Sequence, residues 1–255
     1  EIFKIPEFNV AALVYFLLWG FSMYQVFYMI PLYYENLKLV GTFHAGLYIL
    51  PMALAIGLFS PIAGFIADKK SDVAPLVFAS ILYVYMLFFV IPKFNYFTPS
   101  LSASLQLIPL GIAMGFFFAP ITNLALKHLG DKTTLGVSIM HYLRFVGGSF
   151  GTALATNHLQ ASMWQSFQSI TELQNTHYAD WYLKGIMNQM ALYFHNYEEK
   201  AKAMLYQVQM LYASSDAFQE VFLYAGFWGL LGSLPILYLV YIRTSKRLRP
   251  RGKES

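Results

Sequence analysis

The feature that most limits this chain is an uncharged run from Phe8 to Tyr34, longer than the roughly 20 residues a helix needs to cross a bilayer. Further apolar runs follow it. Approximate limits of six spans are Val10 to Tyr34, Thr42 to Ala67, Ala74 to Ile91, Leu101 to Leu126, Leu135 to Leu159 and Val221 to Ile242. Only 12% of the 255 residues are charged, against about 25% in a typical soluble domain, which excludes a water-soluble globule. The chain therefore reads as an all-α membrane protein. Its first five transmembrane helices (about 10–34, 42–67, 74–91, 101–126 and 135–159) lie within residues 1–160. An outer amphipathic helical insertion over 161–220 follows, then the sixth helix at 221–242 and a basic tail at 243–255. Cysteine is absent, so thiol catalysis and disulfide frameworks are excluded. The net charge of +4 sits at the ends of apolar runs rather than on one face, and no nucleic-acid surface is indicated.

Basic residues in short flanks are retained on the cytoplasmic side. The tail carries Arg243, Lys246, Arg247, Arg249, Arg251 and Lys253, so it is expected to be cytoplasmic. Counting back through six crossings puts Lys4, Lys69, Lys70, Lys127 and Lys132 on the same side. With the tail these outnumber Lys38, Lys93, Lys184, Lys200 and Lys202, which fall outside. Both ends of the segment are thus expected in the cytoplasm, with 161–220 outside.

The spans differ in polarity. The third and sixth are hydrophobic all round and are expected to face lipid. The first carries Ser22, Tyr24, Gln25 and Tyr28; the fourth carries Gln106, Thr122 and Asn123; the fifth carries Ser138, His141, Arg144, Ser149, Thr152 and Thr156. Polar groups in hydrocarbon are costly unless they face protein or an aqueous cavity, so these three helices should surround something. Small residues recur at four-residue spacing at Gly111, Gly115 and Ala119, at Gly147, Gly151 and Ala155, and at Ala53, Gly57 and Pro61. Each set is expected to bring helices into close contact.

Arg144 lies roughly 14 Å along the fifth span, near the bilayer midplane. A charge there costs about 2.5 to 3.5 kcal/mol on insertion scales and calls for an internal partner or an aqueous path. No carboxylate of this sequence lies at that depth, which leaves a carbonyl, a substrate or a carboxylate of further protein as its partner. His141, three residues earlier, shares its face. The plainer alternative is that Arg144 bonds backbone carbonyls and locks the bundle.

The loop SPIAGFIADKKS, from Ser60 to Ser71, resembles the G-x-x-x-D-[RK] motif of the major facilitator superfamily, with Gly64, Asp68 and Lys69 at the matching positions. The segments LPMALAIGLFSPIAGFIADK, QLIPLGIAMGFFFAPITNLAL and HYLRFVGGSFGTALAT are together similar to the carboxy-terminal half of the EmrB/QacA group of fourteen-helix drug:proton antiporters. The run from Arg144 through Gly147, Gly148 and Gly151 is the most specific part. Two departures are Ser71 and Asp72 where the complete loop motif has further basic residues, and six spans rather than fourteen. The resemblance implies the second six-helix bundle of a two-bundle transporter, with a missing amino-terminal transmembrane half as its partner. It further implies a central cavity opened alternately to each side, lined by the first, second, fourth and fifth helices. A proton gradient would supply the energy, with no cofactor, and the proton-binding carboxylates would lie chiefly in the other half. The implied setting is the bacterial inner membrane, and the implied activity is efflux of lipophilic or cationic compounds.

Within that frame Tyr24, Gln25 and Tyr28, with Gln106, are expected to face the cavity beside Arg144 and His141, offering aromatic faces and amides to flat lipophilic cations. Asp68 with Lys69, approached through Gly64, is expected to gate the inner side by meeting a helix N-terminus in one state. In the outer segment Leu183, Ile186, Met187, Met190 and Phe194 form one stripe. Met204, Leu205, Val208, Leu211 and Tyr212 form another, so a helical hairpin over the outer mouth is expected. It would either pack on itself or dock a periplasmic adaptor protein and, through it, an outer-membrane channel. An exporter of another substrate, such as a siderophore, metabolite or fatty acid, and a non-transporting scaffold are the alternatives. No HExxH, GxSxG or P-loop pattern points to an enzyme.

Overall fold

Each apolar run forms a helix, and several helices outrun the stretch of sequence that announces them. The computed structural model describes residues 2–69, 71–127, 129–173, 177–192 and 196–248; Lys70 and the end of the basic tail, with Arg249, Arg251 and Lys253, lie outside the described residues. Helix α1 spans Pro6–Leu37, with Pro6 at the first position, where its missing N–H would find no partner in any case. Two stretches of α1, Tyr15–Met23 and Tyr33–Leu37, adopt wide π-helical turns. Next come α2 (Thr42–Lys69), α3 (Val73–Lys93) and α4 (Ser100–Leu126). The remaining helices are α5 (Thr133–Leu173), α6 (His177–Ala191) and α7 (Tyr197–Leu248).

Among the described residues five helices, α1 to α4 and α7, are long and apolar enough to cross a membrane. The fifth expected span is helical and long, but the polar residues from Ser138 to Thr156 keep it below that apolar standard. It runs beside α1 and α7 and completes the bundle. A front layer follows the order α2, α4, α1, α5, with α3 behind α4 and α7 behind α1 and α5. Ser22 ties the layers together: its hydroxyl donates to the Ala225 carbonyl at 2.6 Å, and the Tyr83 hydroxyl lies 2.8 Å from its oxygen.

Helix α1 is the most buried span and α2 the least; the third and sixth helices, expected to face lipid, lie behind the front layer and are exposed on one side only. Helix α3 buries Leu76, Ala79, Tyr83 and Leu87 and exposes Phe78, Ile81, Tyr85 and Phe89. A helix that is uniformly apolar carries no directional signal, so only its neighbours decide which side is covered.

The small-residue sets divide. A Cβ at Gly111 would stand 2.4 Å from the Met52 carbonyl oxygen, and one at Gly151 would stand 2.6 Å from that of Phe21. These glycines bring α4 onto α2 and α5 onto α1. A Cβ at Gly57 would meet nothing within 4 Å, and Ala53 and Pro61 beside it are exposed. The third set does not pack inside this bundle.

The outer segment is not a hairpin laid over a mouth. Helix α5 continues unbroken to Leu173, and α7 begins at Tyr197 and continues through residue 221 without interruption. The two extensions pair, with the Phe167 and Tyr206 rings 5.3 Å apart, and α6 packs on α7. The buried positions on that stretch of α7 are Ala201, Gln209, Ala213, Ser215, Ala217 and Phe218, while Met204 and Tyr212 are exposed. Most of the buried ones are small, which allows the closer approach. Leu183, Ile186, Met187 and Met190 are half-buried, and Phe194 lies outside the described residues.

At the C-terminal end of α1, Lys38 clasps the loop between α3 and α4. Its ammonium donates to the carbonyls of Tyr96 and of Thr98, the latter at 2.6 Å. Tyr33 donates to the Asn95 carbonyl at 3.1 Å. Burial holds the Lys38 ammonium below its ordinary pKa.

Candidate functional site

Helices α1, α4 and α5 enclose a cavity of about 140 Å³, lined by Tyr15, Trp19, Thr122, Met140, His141 and Arg144 with their apolar neighbours. Each polar side chain comes from local spacing. Tyr15 and Trp19, four residues apart in the wide-turned stretch of α1, stack at 4.8 Å, and Trp19 meets Phe118 of α4 at 4.6 Å. His141 and Arg144 share a face of α5, as their spacing requires.

The hydroxyls form a directed chain. Thr122 donates to the Phe118 carbonyl at 2.8 Å, so its oxygen receives the Tyr15 hydroxyl proton across 2.7 Å. The Arg144 guanidinium carbon lies 5.0 Å from the Trp19 ring centre and 4.7 Å from that of Phe145, in reach of cation–π attraction. Its Nε is buried without a hydrogen-bond partner. The plain alternative, in which Arg144 is tied to backbone carbonyls, gains no such bond among the described residues.

The other expected cavity residues scatter. Tyr24 covers Gly148, one turn outward from Arg144 on α5; a Cβ at Gly148 would come within 2.7 Å of the Tyr24 ring. Tyr28 is exposed. Gln106 is exposed near the N-terminal end of α4, donating to Ser102 Oγ at 3.2 Å. Neither joins Arg144. Gln25 departs most from expectation: it is fully buried, and neither amide atom has a hydrogen-bond partner. It follows Ser22 by three positions, on the side of α1 that meets α3 and α7 rather than a cavity.

Towards the C-terminal end of α2, Gly64 lies against Ala119, whose Cβ would be 3.3 Å from one at Gly64. Asp68 Oδ1 accepts from Asn123 Nδ2 at 2.9 Å, near the C-terminal end of α4 rather than at a helix N-terminus. Lys69 lies back over the Phe65 ring of its own helix, 4.2 Å from the centroid. Beside them Lys127 pairs with buried Asp72 at 3.2 Å. Ala67, Asp68, Asp72, Asn123, Leu126 and Lys127 surround a second cavity, of about 400 Å³.

Sequence reasoning missed Tyr15 and Trp19, although their four-residue spacing on a span already marked as polar was a usable signal. It also missed the pairing of Asn123 and Lys127 with Asp68 and Asp72, which no local pattern announces.

A model of the Major Facilitator Superfamily matches residues 1–152. The Lincomycin resistance protein LmrB of Listeria monocytogenes is 29% identical over 163 residues, 63% of this chain and 34% of that protein. The uncharacterized MFS-type transporter YhcA of Bacillus subtilis is 22% identical over 262 residues, 100% of this chain and 48% of that protein. The chain thus spans about half, or less, of the length of these relatives.

Proposed function

The chain belongs to the major facilitator superfamily, and from that premise we propose that it works as the carboxy-terminal six-helix half of a proton-coupled exporter of lipophilic or cationic compounds, of the EmrB/QacA type. The single observation that carries this reading is the cavity around Arg144: a guanidinium held between α1, α4 and α5, beside the apolar core of the bundle. Intramembrane charge of this kind marks transport pathways. The name of the Listeria relative supports drug export as the activity.

In this reading an amino-terminal bundle covers the exposed side of α2, where Phe43, Leu47, Leu50, Leu54, Leu58 and Phe65 are open. Alternating access then rocks the two bundles about the cavity. Asp68 and Asn123 serve the inner gate. The bundle sits in a bacterial inner membrane with both ends of the segment in the cytoplasm, and the α5–α7 extension is the surface for a periplasmic adaptor protein and outer-membrane channel. A proton gradient drives export.

The test is uptake of radiolabelled lincomycin and of ethidium into inverted vesicles holding the full-length protein. Uptake should require the proton gradient and fall at least tenfold in Arg144→Ala at equal protein level. Uptake that survives collapse of the gradient overturns proton coupling, and full activity in Arg144→Ala returns that residue to packing.

A further inference from the structure

We propose that the Arg144 cavity is a carboxylate-binding site, so that lipophilic acids belong among the compounds this chain takes. The inference rests on the export reading and names the chemistry of one of its subsites. It follows from what the wall of the cavity can and cannot offer.

The hydroxyl protons of the wall are already committed: Thr122 gives its own to the Phe118 carbonyl, and Tyr15 gives its own to Thr122. The N–H groups of Arg144, the ring of His141 and the indole N–H of Trp19 remain as donors. Of the carboxylates at the same end of the bundle, Asp68 and Asp72 are engaged by Asn123 and Lys127 and line the other cavity, and Glu7 and Asp131 do not line this one. Among the described residues no carboxylate stands within ion-pair distance of Arg144.

A buried cationic N–H without an acceptor is unfavourable, and an anionic oxygen relieves it with a charge-assisted bond. Trp19 and Phe145 flank the guanidinium, which restrains it and leaves its planar fork as a bidentate receptor. Size narrows the ligand further. At about 140 Å³ the cavity is smaller than the roughly 300 to 1,000 Å³ of a drug-sized pocket. It holds the acid head of a compound whose apolar body lies outside, against the rings of α1 and α5. A cationic head would meet the Arg144 charge and be repelled, so the charged group of such compounds lies outside this cavity.

The experiment uses purified full-length protein in detergent and isothermal titration with three probes of one shape: 1-naphthoate, 1-naphthamide and 1-naphthylmethylammonium. Naphthoate should bind at least tenfold more tightly than naphthamide. Arg144→Gln should erase that preference, Arg144→Lys should keep part of it, and His141→Gln should reduce it less than Arg144→Gln. Equal affinity for acid and amide, tighter binding of the ammonium, or acid preference undiminished in Arg144→Gln overturns the proposal. So does absence of naphthoate binding at millimolar concentration, as expected if an acidic side chain of the same protein fills the cavity. The wild-type ratio of acid to amide decides without any variant. Binding requires neither vesicle nor gradient, so acid preference in a protein that exports nothing sinks the export reading alone. Gradient-driven export without acid preference sinks this proposal alone.

Discussion

Gly20 of α1 and Gly147 of α5 face each other so closely that a Cβ built on Gly20 would stand 2.7 Å from the Gly147 Cα. This contact fixes the separation of the two helices that carry Trp19 and Arg144. Gly147→Ala should lower stability by about 1 to 3 kcal/mol, the usual cost of overpacking, and should loosen the Arg144 cavity with it. Gly185→Ala is the control, because a Cβ there meets nothing within 4 Å and alanine favours a helix by about 1 kcal/mol. Thermal unfolding in detergent should show a lower midpoint for the first variant and an unchanged or higher one for the second.

The ion pair between Lys127 and Asp72 is lopsided, with side chains 58% and 5% exposed. Lys127→Ala leaves a buried carboxylate without its cation and should cost about 1 to 3 kcal/mol. Asp72→Asn leaves a lysine in solvent and should cost less than about 1 kcal/mol. Equal midpoint shifts in the two variants would contradict the asymmetry.

Gln25 buries an amide with no partner at either atom. Replacing it by an apolar side chain of similar size removes that penalty, so Gln25→Leu should raise stability by about 1 to 3 kcal/mol. A lower unfolding midpoint in Gln25→Leu would mean that the amide is satisfied in the membrane.

Lys38 supplies a pH dependence. Its folded pKa lies below the ordinary lysine value of 10.5, so between the two values the unfolded chain holds more protons than the folded one. Stability from this group therefore rises with pH through that window, and the cost of burying the charge is fully present below it. A neutral amine still has two N–H bonds for the Tyr96 and Thr98 carbonyls. The unfolding midpoint of the wild type should gain on that of Lys38→Met as the pH rises towards 10.5, and a constant difference would refute the shift.

The helical membrane bundle was legible from the apolar runs, and the shared face of His141 and Arg144 from their spacing, because both depend on one helix at a time. What faces a helix is a relation between helices and left weaker traces. Gly151 and Gly57 sit in similar small-residue patterns, yet one touches a backbone and the other open space; the pattern permits close approach without naming a neighbour. Gln25 was misplaced because polarity was taken as a sign of facing a cavity. Tyr15 and Trp19 went unnoticed because aromatic residues make up 18% of the chain, so no single ring stands out. The polar flanks of α5 and α7 suggested breaks at the membrane surface, but a backbone hydrogen-bond ladder needs no change there and continues.

Helix α7 has 52 residues and is about 78 Å long at 1.5 Å per residue, so it works as a lever whose pivot lies in the bundle. From residue 221 out to Tyr197 its outer arm is about 36 Å. A tilt of about 10° in the bundle would carry the Tyr197 end sideways by about 6 Å on that geometry. The α5 extension paired with it would move in step. Motion around Arg144 is therefore magnified at the outer tip, where a bound neighbour would sense it as displacement rather than as a change in shape.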